Sequence, residues 1–121
     1  MQANSSENCF DVLIGEKLSS VTFVMDYLQI DFDGNRFTFN IWPLITVDNV
    51  GYKFGDALYR DMLCSLIARI VSKVTLVENE KIVIEFGSKD NLYLLLDANE
   101  KEIINPEIAH FTDAKGRWYF F

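Results

Sequence analysis

His110 is the only imidazole in the chain, so any histidine chemistry near neutral pH must use it. Cys9 and Cys64 are the only thiols. A Cys64–His110 or Cys9–His110 nucleophilic pair would need an activated thiolate. Cys64 is expected to face away from the apolar stripe of a helix, where reagents reach it. A lone histidine beside Phe111 is more commonly a half-buried polar residue, and a lone cysteine an inert small side chain. No catalytic residue is assigned. A second group, Asp26, Tyr27, Tyr52, Asp56, Tyr59, Arg60 and Asp61, gathers near the expected turns and helix start. An Asp–Arg–Tyr set of this kind could bind a small anion or a carbohydrate. The simpler reading is that Asp56 caps the helix and pairs with Arg60 at i,i+4.

The metal and cofactor classes find no foothold. No Cys/His spacing matches a zinc site. The acidic turn Asp31–Asn35 lacks the ligand count of a calcium loop, and no glycine-rich phosphate loop is present. No metal or cofactor is expected. Eighteen acidic residues face eleven basic ones, for a net charge of -7 and a pI near 4.5. That balance argues against nucleic acid, whose phosphates are neutralised by Lys and Arg, and against anionic membrane. It favours a basic protein partner through electrostatic steering.

The elements that must position these residues fall in one domain, residues 10–121, behind a polar tail of residues 1–9 expected to fray. Half of the residues are hydrophobic, enough for a sizeable core. No apolar run approaches the roughly 20 residues of a membrane span. The amino-terminal residues lack the pattern of a signal peptide, and the two cysteines are expected as reduced thiols in a cytoplasmic protein.

Leu13–Val24 (LIGEKLSSVTFV) and Leu66–Val77 (LIARIVSKVTLV) are identical at six of twelve positions. The echo continues through two alternating strands after each segment, at an offset drifting from 53 to 55 residues. It predicts an internal duplication, with units of about 10–54 and 63–121. Leu28, Ile30 and Phe32 alternate with polar residues, as do Phe37, Phe39 and Ile41 after the turn at Asp33–Gly34–Asn35. Asp56 is expected to open the main helix, with Leu58, Tyr59, Met62, Leu63, Leu66, Ile67 and Ile70 on one stripe. Pro106 is expected to start a short carboxy-terminal helix over Ile108–Phe111. The fold class predicted is α+β: two related antiparallel β-meanders packed with one main helix and that short one.

In the second hairpin the face that should be wet is apolar. Val83, Tyr93 and Leu95 stand where the first copy has Gln29, Thr38 and Asn40. Three covers are open: the chain itself between Asp97 and Phe111, a homodimer, or a heterologous partner.

Several residue groups are similar to a family of small bacterial single-domain proteins that has no assigned function. They are Leu13-Ile14-Gly15, Asp26-Tyr27, Gly55-Asp56 with Tyr59-Arg60-Asp61, Leu63-Cys64 with Leu66-Ile67, and Pro106-Glu107 with Ala109 and Phe111. The resemblance spans nearly the whole chain after residue 12 and implies no activity.

Two functional readings follow. The first is a non-enzymatic protein-binding module with an acidic surface, of the kind that immunity proteins use to neutralise toxins. The second is a small-ligand or enzymatic domain with a pocket between the two copies, lined by Asp26, Tyr27, Trp42 and Tyr52. The candidate binding residues are therefore Asp26, Tyr27, Trp42, Tyr52, Tyr59, Arg60, Val83, Tyr93 and Leu95.

Overall fold

The computed structural model describes residues 9–96 and 108–121. A 3-10 turn, Cys9–Leu13, leads into strands β1 (Ser20–Phe23), β2 (Leu28–Phe32) and β3 (Asn35–Phe39). A hairpin follows, β4 (Leu44–Val47) with β5 (Val50–Tyr52), and then one short helix, α1 (Tyr59–Cys64). Strands β6 (Lys73–Val77), β7 (Lys81–Glu85) and β8 (Asn91–Leu95) make a second meander. The last hairpin is β9 (Ala109–Thr112) with β10 (Trp118–Phe120).

These strands form two five-stranded antiparallel sheets, ordered β1-β2-β3-β9-β10 and β6-β7-β8-β4-β5. Each meander keeps its own sheet, and each following hairpin crosses to complete the other one. The inner rows match position by position. Val21, Ile30, Phe37, Phe111 and Tyr119 lie across the first sheet, and Val74, Ile84, Leu92, Ile45 and Tyr52 across the second. Both rows feed one continuous core, in which Phe32 of the first sheet stacks on Phe86, just beyond β7, centroids 6.4 Å apart. Phe10, on the 3-10 turn, closes one end against Phe37, Phe111 and Phe121 at 5.2–5.5 Å.

Between residues 15–18 and 68–71 the backbone bonds are reciprocal. Gly15 N–H donates to the Val71 carbonyl and Ala68 N–H to that of Leu18; Leu18 N–H donates to the Arg69 carbonyl and Val71 N–H to that of Glu16. Adding 53 to each residue of the first bond in a pair, or subtracting it beyond residue 53, gives the second. The bridge at the centre joins Lys17 to Ile70, themselves 53 apart. Gly15 has φ 87° and its counterpart Ala68 φ 78°, a left-handed backbone that costs Ala68 roughly 1 kcal/mol.

The tips of the crossing hairpins are also held alike. The Asn35 Oδ1 accepts the N–H of Ala114 at 2.9 Å, and the Asp90 Oδ1 accepts that of Asp48 at 2.7 Å. Asn35 and Asp90 are both buried polar residues; Asn35 opens β3 and Asp90 immediately precedes β8. Asp90 carries a charge that Asn35 lacks, and it is ion-paired with Arg69.

The expected α+β class is corrected to a mostly β fold. The main helix read from Asp56 to Ile70 is six residues long. Beyond Cys64 the backbone turns away: Ala68 takes a positive φ, and the N–H groups of Ala68 and Val71 go across to the carbonyls of Leu18 and Glu16. Leu63 and Leu66 are buried, but Leu58, Ile67 and Ile70 are exposed, so the apparent stripe joins residues of successive turns. Asp56 does not cap α1, whose N-cap is Leu58 without a side-chain bond. It accepts the Lys53 N–H at 2.9 Å and pairs with the Lys53 Nζ at 3.2 Å, not with Arg60. The helix expected over Ile108–Phe111 is β9, where Ala109 and Phe111 are buried and His110 and Thr112 half-buried, a period of two. Pro106 and Glu107, which prompted that helix, and the expected loop from Asp97 to Glu102 lie outside the described residues.

Candidate functional site

The outer rows of the two sheets differ where the inner rows agree. Thr22, Gln29, Thr38, His110 and Phe120 run across the first sheet. In the same row of the second sheet stand Thr75, Val83, Tyr93 and Leu44. Val83 and Tyr93 are half-buried, and Leu44 and Leu95 are exposed. The sequence comparison of Val83 and Tyr93 with Gln29 and Thr38 thus concerns side chains on an outer face. Lys81 Nζ lies 5.6 Å from the centroid of the Tyr93 ring.

Beside this row runs an open groove of about 510 Å³. Leu44, Thr46, Asn91 and Tyr93 flank it, Tyr52, Lys53 and Asp56 lie along it, and Gly51 leaves a gap in its lining. Gly51 sits inside strand β5, and of the six glycines it alone has no positive φ. A Cβ built there meets nothing closer than the Ile45 carbonyl oxygen at 4.0 Å. Neither backbone conformation nor packing requires glycine at this place. The Asp56 carboxyl, in the groove lining, is held below its ordinary pKa by the Lys53 backbone N–H and then the Lys53 side chain, so it is ionised at neutral pH.

Of the residues singled out from sequence, Tyr52 and Tyr93 line this groove, and Val83 and Leu95 lie on the strands beside it. Trp42 and Tyr59 belong to an aromatic stack. Trp42 lies on Phe54 at 4.3 Å, and Phe54 meets Tyr59 edge-on at 5.9 Å. Tyr59 is buried; its hydroxyl donates to the Pro43 carbonyl at 2.5 Å, and burial pushes the phenol pKa up. Asp26 is exposed and Tyr27 half-buried in the β1–β2 turn, and Arg60 is exposed on α1; none of the three lines the groove. Leu44, Gly51 and Asn91 went unnoticed in the sequence. A signal was available for Gly51, since a glycine inside a strand often marks a close approach by something else.

A different surface stands on the first sheet. Trp118 and Phe120 are each 59% exposed on the edge strand β10, and His110 lies 5.6 Å and 5.9 Å from their ring centroids. His110 is thus part of an aromatic surface. Among the described residues no disulfide joins Cys9 or Cys64. Cys9 is buried, and burial pushes its thiol up to about 12, which suppresses the thiolate. Cys64 is exposed. A thiol reagent at pH 8 is therefore expected to label Cys64 promptly in the native protein and Cys9 only after denaturation. Equal labelling rates by mass spectrometry would contradict this.

Among the described residues no group of His, Cys, Asp and Glu is arranged to hold a metal ion, and no helix is long and apolar enough to cross a membrane. No family model matches the chain, and neither a curated protein nor a solved structure matches it.

Proposed function

We propose that the chain is a non-enzymatic protein-binding module, immunity-protein-like in its logic, which presents the outer face of its second sheet to a basic protein. The observation that carries this reading is the divergence of the two outer faces. At matching positions the first sheet has Gln29 hydrogen-bonded to a buried Thr38, with Phe120 exposed at the far end of the row, and the second has the half-buried Val83 and Tyr93, with Leu44 exposed next to them. Apolar side chains left at the surface in a contiguous row mark interaction sites. The net charge of -7 selects a cationic partner and speeds the encounter at low salt.

The reading includes descent from two related units and kinship with the small bacterial family that the sequence resembles. The duplication is supported by the shared strand order, the reciprocal bonds about Lys17–Ile70 and the like anchoring of both hairpin tips. Two such units would then have kept their inner rows and diverged on their outer ones.

Tyr93→Asp tests the binding reading. Tyr93 is half-buried on the outer face, so the new carboxylate reaches water and the fold survives. Light scattering is expected to find a monomer for both proteins. Affinity capture from the native host is expected to recover a basic protein with the wild type, less of it as salt rises, and none with Tyr93→Asp. A wild-type dimer would assign this face to a second copy, and undiminished capture by the variant would remove the face from the binding site.

A further inference from the structure

We propose that the hollow above Gly51 is a socket for an arginine side chain presented by the basic partner. The inference rests on the protein-binding reading above and specifies its chemistry.

Ser20, Asp31, Arg36, Thr112 and Trp118 form one row across the first sheet. The matching row of the second sheet is Lys73, Glu85, Asn91, Thr46 and Gly51. The fourth member is threonine in both. At the fifth, the edge strand of one sheet carries an indole and that of the other carries no side chain. On the first sheet this place carries the Trp118 indole, 59% exposed, and on the second it stands open.

Glycine inside a strand forfeits backbone entropy relative to alanine. At Gly51 nothing within the molecule offsets that cost, because the backbone is ordinary and the nearest atom to a built Cβ is 4.0 Å away. Space kept open in this way suits an incoming group.

The groove offers acceptors: the ionised Asp56 carboxylate, the Thr46 hydroxyl and the Asn91 amide oxygen. It also offers the Tyr93 ring, where an incoming guanidinium would displace Lys81 Nζ, now 5.6 Å from the centroid, or stack on the opposite face. A guanidinium is planar, weakly hydrated and rich in donors, and it both stacks on rings and bonds carboxylates. The chain's charge of -7 favours a cation over a neutral aromatic. Lys53 Nζ now holds Asp56 Oδ1 at 3.2 Å. It is an exposed, flexible ammonium that a guanidinium can displace.

The test is a titration of the full-length, 15N-labelled protein with N-acetyl-arginine amide at low salt, followed by NMR, with N-acetyl-lysine amide and N-acetyl-phenylalanine amide as comparators. The arginine compound is expected to shift the Thr46, Gly51 and Tyr93 amides and to half-saturate at a several-fold lower concentration than either comparator. Gly51→Trp restores the residue of the matching position and is expected to keep a dispersed spectrum while losing those shifts. The proposal is overturned if the arginine compound moves none of these amides, if a comparator binds equally well, or if Gly51→Trp leaves the shifts unchanged. Should Tyr93→Asp abolish partner capture while the arginine compound fails to bind, the protein-binding reading stands and the socket falls. Should the arginine compound bind while Tyr93→Asp captures the partner undiminished, the socket stands and the partner docks elsewhere.

Discussion

Phe37→Ala is expected to lower the stability of the fold by about 3–5 kcal/mol, the range for removing a buried phenylalanine from a packed core. Phe37 is fully buried. Its ring lies 4.9 Å from Phe111, 5.1 Å from Phe39 and 5.2 Å from Phe10. Those three rings come from the crossed hairpin, the meander and the 3-10 turn, so no single element can shift to fill the space. Each kcal/mol lowers the melting temperature of a chain this size by roughly 4 °C, which places the variant about 12–20 °C below the wild type in a thermal scan. A loss under 5 °C would mean that these rings are not packed around Phe37 as described.

Asp113→Ala is expected to cost roughly 2 kcal/mol at neutral pH, through hydrogen bonds lost from a buried acceptor. The Asp113 Oδ1 accepts the N–H groups of Lys115 and Arg117 at 2.9 and 3.0 Å, and Oδ2 binds the Arg117 Nε at 2.6 Å. Only 2% of its side chain is exposed, while Arg117 is more than half exposed and rehydrates when the partner is removed. Burial alone would raise the Asp113 pKa, but the bonds from Arg117 and Lys115 outweigh it and hold the carboxyl below its ordinary 3.8. A carboxyl whose folded pKa is depressed contributes stability that is complete above the unfolded value and lost as pH falls through the folded one. The stability gap between wild type and variant is therefore expected to be constant above about pH 4 and to close below it. Denaturant titrations at several pH values measure this, and a gap that widens on acidification would contradict it.

Strand positions were legible because a half-buried strand repeats every two residues. Leu28, Ile30 and Phe32, then Ile82 and Ile84, then Leu92 and Leu94, are all fully buried. The turn at Asp33–Gly34 was legible from its residue types, and both residues take positive φ as such a hairpin turn requires. The helix was overread because Leu63 and Leu66 are buried at helical spacing by consecutive turns, while the bonds of Ala68 and Val71 depend on residues about 50 positions away. The crossing of the hairpins is also long-range. Nothing local to Leu44–Tyr52 says that its partner strand is Asn91–Leu95 and not Asn35–Phe39. At the candidate site Tyr93 was legible from its contrast with Thr38. Gly51 was not, because its meaning appears only when it is aligned across the sheets with Trp118.

Amide hydrogen exchange on the chain with and without its captured partner tests most directly whether the second sheet carries the working face. Slowed exchange is expected over residues 44–52 and 91–95, with residues 118–120 of the first sheet unchanged. Protection confined to residues 109–120, leaving 44–52 exchanging as in the free protein, would place the partner on the Trp118–Phe120 surface and contradict the claim.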